Sequence, residues 1–150
     1  MAIKNKPGEL HRLLARAHHL HVKVASVDLA RLGVTQGQPR LLHFLSEHDG
    51  CIQKDLCEQC DLEAATVTNI LAAMEKSGTI KRESDPEDRR VLRVYLTAKG
   101  RQSDARVQEI FVDMEEDCFL GFTERERERT LEYLDRVYAN LKAVKERKDQ

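Results

Sequence analysis

The chain has 150 residues, 41% hydrophobic and 34% charged, with a formal net charge of −1. That length suits one domain with a real core, and the near-neutral balance does not by itself indicate a polyanion partner. No run of about 18 apolar residues is present, which excludes a membrane-spanning helix. Met1 to Lys6 lacks the apolar stretch of a signal peptide, so the expected compartment is the cytoplasm. There is no Trp and aromatics are only 5%, so the core must be mainly aliphatic. High charge and only three prolines favour a helical chain.

Taken in order, Pro7-Gly8 closes a short tail and Glu9 to Leu32 reads as a helix. Leu10, Leu13, Leu14, Ala17, Leu20, Val24 and Val27 form its apolar stripe, and Gly33 stops it. Thr35 and Gln38 are spaced as a capping box, which predicts that a second helix begins there. Leu41, Leu42 and Leu45 are its buried side, and His48-Asp49-Gly50 closes it. Ile52 to Cys60 reads as a short helix and Glu63 to Ser77 as another, ending at Gly78, with a turn at Cys60-Asp61-Leu62 between them. Apolar residues at Ile52, Leu56, Leu62, Val67 and Leu71 give this pair a helix-turn-helix pattern.

A strand is predicted from Ile80 to Glu83, a turn at Asp85-Pro86, and a second strand from Val91 to Leu96. In the second, Leu92, Val94 and Leu96 should face inward and Arg93 and Tyr95 outward, making a two-stranded wing. Thr97 starts a long helix to about Leu120, with Val107, Ile110, Phe111, Met114 and Cys118 on one face. Thr123 and Glu126 form a second capping box and open a final helix. Its Leu131, Leu134, Val137 or Tyr138, Leu141 and Val144 repeat at steps suited to a helix–helix seam, which favours a homodimer.

Charge is unevenly spread. From Lys76 to Arg101 there are eight Lys/Arg (76, 81, 82, 89, 90, 93, 99, 101) and four acids (83, 85, 87, 88), a net of about +4. The last fifty residues hold ten Lys/Arg against thirteen acids. A local basic patch is what a small DNA-contacting surface needs, and a solvated hairpin is the plain alternative. Burying Val67, Ile70 and Leu71 would turn Ala64, Ala65, Thr66, Thr68 and Asn69 outward. Thr offers a hydroxyl and a methyl, and Asn69 has the donor–acceptor pair that matches adenine. No basic residue lies between Glu63 and Glu75, so Lys54, Lys76, Lys81, Arg82 and the wing must supply phosphate attraction.

The segment Asp88-x-Arg90-x5-Leu96-Thr97-x-x-Gly100 resembles the wing-to-helix signature of the multiple antibiotic resistance regulator (MarR) family of bacterial winged-helix transcription factors. Met74-Glu75-Lys76-x-Gly78-x-Ile80 and Thr66-Val67-Thr68 resemble the end and start of that family's recognition helix. The likeness runs over about residues 9 to 145 and is strongest over 52 to 100. It implies a mainly α fold with a small β-hairpin: a winged helix-turn-helix lobe over 52–100 and dimerisation helices over 9–32 and 101–147, all in one domain. It implies a homodimer that binds pseudo-palindromic double-stranded DNA with half-sites roughly 34 Å apart, usually as a repressor released by a small ligand, a metal or thiol oxidation. The expected DNA contacts are Lys54, Ala64, Ala65, Thr66, Thr68, Asn69, Lys76, Arg82, Arg89 and Arg90, with Leu10, Leu13, Leu131, Leu134, Tyr138 and Leu141 at the dimer interface.

In that family the effector cleft lies where the first, second and fifth helices meet the DNA-binding lobe, which points to His18, His21, His43 and Phe111; solvated or interface histidines are the alternative. Cys57-x-x-Cys60 suggests either a thiol sensor or two small buried residues, and without a second Cys pair it does not suggest a metal site. No cofactor is expected. The chain lacks a phosphate-cradling glycine loop, a nucleophile elbow and a metalloprotease motif, so an enzyme is not expected. A winged helix used for protein interaction remains a second reading, consistent with the uncharged recognition helix.

Overall fold

The structure is a computed structural model describing residues 6–150; the reading of Met1 to Asn5 lies outside the described residues. The chain forms two compact units, one ending at Val112 and the other starting at Asp113. The elements are α1 (Glu9–Arg31), α2 (Gln38–Glu47), β1 (Cys51–Ile52), α3 (Gln53–Gln59), α4 (Ala64–Lys76), β2 (Ile80–Ser84), β3 (Leu92–Leu96), α5 (Ala98–Cys118) and α6 (Glu124–Lys148). Among the described residues no helix is long and apolar enough to cross a membrane.

The first unit has an aliphatic core. Leu41, Leu42 and Leu45 of α2, Leu56 of α3, Val67, Leu71 and Met74 of α4, Val94 of β3 and Val107 of α5 are all essentially sealed from solvent. Burying each such leucine contributes about 1.5–3 kcal/mol relative to leaving it exposed. These residues recur at steps of three and four along α2 and α4, the spacing that puts them on one helical face.

Three sequence expectations change here. The segment from Ile52 to Cys60 is not wholly helical: Cys51 and Ile52 form β1, antiparallel to β3 with Cys51 opposite Val94. The wing is therefore part of a three-stranded sheet in the order β1-β3-β2. Thr35 does not cap α2. The chain turns tightly there, the Gln38 N–H donates to the Thr35 carbonyl at 3.1 Å, and Gly37 holds the N-cap position at φ 93°. On α1 the residues that pack inward are Ala25 and Leu29, whereas Leu10, Leu13, Leu20, Val24 and Val27 of the predicted stripe are exposed.

Two other expectations hold. Thr123 and Glu126 form the reciprocal capping box at the start of α6. Thr97 precedes α5 and its hydroxyl accepts from the Gly100 N–H at 3.1 Å. In the second unit Arg127 reaches Glu115 at 2.8 Å and Glu116 at 2.7 Å, and its guanidinium lies over the Phe119 ring. No residue of α6 is buried, and Leu131, Leu134, Tyr138 and Leu141 are each between 45% and 57% exposed.

Candidate nucleic-acid interface

The helix-turn-helix is α3 and α4. Its corner turns at Asp61, the only non-glycine described residue with positive φ (51°), a region that Asp tolerates better than most residues. The Leu62 N–H closes the corner on the Cys57 carbonyl at 3.0 Å. Burial of Val67, Leu71 and Met74 fixes the rotation of α4. Ala64, Ala65, Thr66, Thr68 and Asn69 consequently all stand exposed on its outer side. Thr66 and Asn69 form no side-chain hydrogen bond within the described residues, so both are available to an external partner. Thr68 differs. Its hydroxyl donates to the Ala64 carbonyl at 2.8 Å and accepts from the Gln53 amide at 2.7 Å. Gln53 starts α3, and nothing in the local sequence pattern signals this bond, which exists only because the corner brings α3 against α4.

The wing is built on Asp85. Its backbone N–H donates to the Val91 carbonyl at 2.8 Å. Its carboxylate accepts from the Glu87 and Asp88 N–H groups and from the Arg93 guanidinium. These bonds, the Glu87 N–H first and Arg93 next, hold its pKa below the usual carboxylate value. Arg93 also donates to the Gly50 carbonyl at 2.8 Å, tying the wing to the loop after α2. Asp85 is one of the few buried charged residues, a role its place in an acidic turn did not disclose. Asp88 holds the tip: its carboxylate accepts from the side chain and from the backbone N–H of Arg90, which lower its pKa. Leu92, expected inward, is 50% exposed because β3 begins beyond the edge of the core, where it pairs with Ser84.

The base of the wing is joined to α4 by Thr97 and Gly100. The Thr97 hydroxyl donates to the Gly78 carbonyl at 2.6 Å and its N–H to the Thr79 carbonyl at 3.1 Å. A Cβ on Gly100 would lie 2.0 Å from that same Thr79 oxygen. The glycine is thus required by close backbone approach. Lys99 donates to the Ser77 carbonyl at the C-terminal end of α4, where positive charge is favoured.

The basic patch is less open than a charge count suggests. Lys81 pairs with Glu83, Arg82 with Glu75, Arg90 with Asp88, Arg93 with Asp85 and Arg101 with Asp49. Outside it, Lys54 faces Glu58 at 3.7 Å. Arg82 is the more enclosed, with its side chain 27% exposed, and its bond draws the Glu75 pKa down. Arg90 is 90% exposed, and a pair so solvated is readily exchanged for another anion. Lys76 and Arg89 are exposed without an ion-pair partner among the described residues.

Of the four cleft residues, only His21 and Phe111 meet, with stacked rings 6.0 Å apart. His43 faces Glu47 on its own helix at 4.0 Å, and His18 is exposed. Cys60 is buried and its thiol weakly contacts the Arg40 carbonyl, while Arg40 donates to the Cys60 carbonyl at 2.6 Å. Burial raises the Cys60 pKa and thereby disfavours the thiolate that oxidants attack. Cys57 is half-buried, and Cys51 is pushed up to about 11 by burial and then by Asp55.

A small-faced recognition helix behind an α3 brace and an arginine-tipped wing define a winged helix-turn-helix transcriptional regulator that binds DNA. Residues 34–92 match the model of the MarR family. The chain is 31% identical over 140 residues to the transcriptional regulator HosA of Escherichia coli O111:H-, covering 93% of this chain and 99% of HosA. It is 27% identical over 131 residues to the HTH-type transcriptional repressor IacR of Pseudomonas putida, covering 87% of this chain and 78% of IacR. It resembles the S. aureus MepR–DNA complex at 25% identity, TM-score 0.74, over 92% of this chain and 99% of that one. The chain belongs to the MarR family, whose members are regulators rather than enzymes.

Proposed function

We propose that this regulator is a cytoplasmic homodimeric repressor of pseudo-palindromic operators, released by a small ligand. The observation that carries the dimer is α6, a 25-residue helix with no buried residue and an exposed row at Leu131, Leu134, Tyr138 and Leu141. Such a row in water favours covering by a second copy. The exposed Leu10 and Leu13 of α1 supply further apolar surface of the same kind. In this reading residues 52–100 are the DNA-binding lobe, and residues 9–32 and 101–147 are dimerisation helices of one domain.

Each α4 then enters a major groove through Ala64, Ala65, Thr66, Thr68 and Asn69, and each wing brings Arg89 and Arg90 to the adjacent minor groove, where narrow segments attract arginine. Lys54, Lys76 and Arg82 face phosphates. The resemblance to a named repressor supports the direction of control, and the resemblance to a protein solved on DNA supports DNA as the partner. The His21–Phe111 stack is the place where a planar effector would insert.

The test combines light scattering with gel shift on fragments from upstream of the protein's own gene. A dimer mass and salt-sensitive binding resistant to random competitor DNA are expected. A monomer, or binding that random DNA competes away equally, would overturn the proposal. Substituting Leu134→Glu should dissociate the dimer and abolish operator binding together.

A further inference from the structure

The Gln53–Thr68 bond has a consequence for base reading. A threonine hydroxyl carries one proton and two lone pairs. In Thr68 the proton goes to the Ala64 carbonyl and one lone pair receives the Gln53 amide. This pattern also assigns the Gln53 amide, because a hydroxyl already donating can only accept from it. Thr68 therefore has no proton to offer a base. Threonine in a helix divides between two rotamers, one of which bonds back to the carbonyl four residues earlier. The amide of Gln53 adds a second bond to that rotamer and so selects it, fixing where the methyl stands on the exposed face of α4.

We infer that Gln53 is a positioning residue for specificity: it locks Thr68 so that the recognition helix presents a methyl, and this methyl reads a thymine C5-methyl in the operator half-site. The inference rests on the DNA-reading role of α4 proposed above. It assigns Thr68 an apolar contact and leaves hydrogen-bonded reading on α4 to Thr66 and Asn69, whose side chains have no hydrogen-bond partner among the described residues. A methyl–methyl contact of this sort is a recognised mode of major-groove discrimination. The neighbouring Ala64 and Ala65, also exposed, extend the same apolar surface.

Selection of bound sequences from random DNA with the full-length protein tests this, comparing the unaltered chain with Gln53→Ala, Thr68→Ser, Thr68→Val and the double variant Gln53→Ala/Thr68→Val. Thr68→Ser keeps the hydroxyl and removes the methyl; it should lose about tenfold preference for thymine at one base pair per half-site. Thr68→Val keeps a methyl without needing the hydroxyl, and should retain that preference. Gln53→Ala should relax the same base pair alone, and adding it to Thr68→Val should change nothing further. A merely structural role for Gln53 would lower binding to all sequences alike and would persist in the valine background, which overturns the inference. Loss of the preference in Thr68→Val also overturns it, since the hydroxyl would then be the reading group. If the unaltered protein enriches no sequence, the DNA-reading proposal itself fails and the inference with it.

Discussion

In the proposed DNA-binding role, α4 and the wing differ most in charge. The outward side of α4 from Ala64 to Asn69 carries no charge, and the one basic residue at its end is Lys76. The wing carries Arg89, Arg90 and Arg93, but two of these are bonded to acids of the same loop. Arg93 is fixed by Asp85 and Gly50 and shapes the loop, whereas Arg90 is nearly fully solvated and Arg89 has no ion-pair partner among the described residues. The helix is suited to discriminate bases and ill-suited to attract phosphate; the wing tip is the reverse. Affinity and specificity should therefore come apart under mutation.

The largest effect is expected where the two regions share a joint. Gly100→Ala drives a methyl into the Thr79 carbonyl between α4 and β2, and should cost about 3 kcal/mol of stability, read as a fall in denaturant midpoint with loss of all DNA binding. Next, the double variant Arg89→Ala/Arg90→Ala should weaken binding to every sequence by about a hundredfold at low salt while leaving the preferred sequence unchanged. Asn69→Ala should do the opposite, costing about tenfold at one position of the half-site with little change in binding to random DNA. The smallest effect concerns pH. The Asp85 pKa is lowered on folding, so its stabilisation is complete above the ordinary carboxylate pKa and disappears as pH falls through the lower folded value. Thermal melts should show an acid-sensitive component below about pH 4 that Asp85→Asn removes, with wing amide exchange accelerated at neutral pH as well.

Much of this division was legible in the sequence. The steps of Val67, Ile70 and Leu71 pointed to the outward side of α4, although Met74 is buried there and Ile70 only partly so, and the Asp88-to-Gly100 spacing located the wing and its joint. The missing features depend on contacts across the fold. A two-residue strand at Cys51–Ile52 has too few residues to show alternation, and it forms because β3 offers it a free edge. The pairing of Arg82 with Glu75, seven residues away, follows from β2 running back beside α4 and cannot be read from either segment. Gln53 was invisible for the same reason. Thr35 and Gln38 had capping-box spacing, but the glycine between them allowed a tight turn instead. On α1 the stripe has helical spacing, yet Leu10, Leu13, Leu20, Val24 and Val27 are exposed and do not enter the core of the first unit.

The salt dependence of operator binding tests the separation of roles most directly, measured as log K against log salt for the unaltered protein, Arg89→Ala/Arg90→Ala and Asn69→Ala. The wing variant should flatten the slope by about 2–4, for up to four cations removed from a dimer, and Asn69→Ala should leave the slope unchanged while lowering specificity. An unchanged slope in the wing variant, or a flattened one in Asn69→Ala, would contradict that separation.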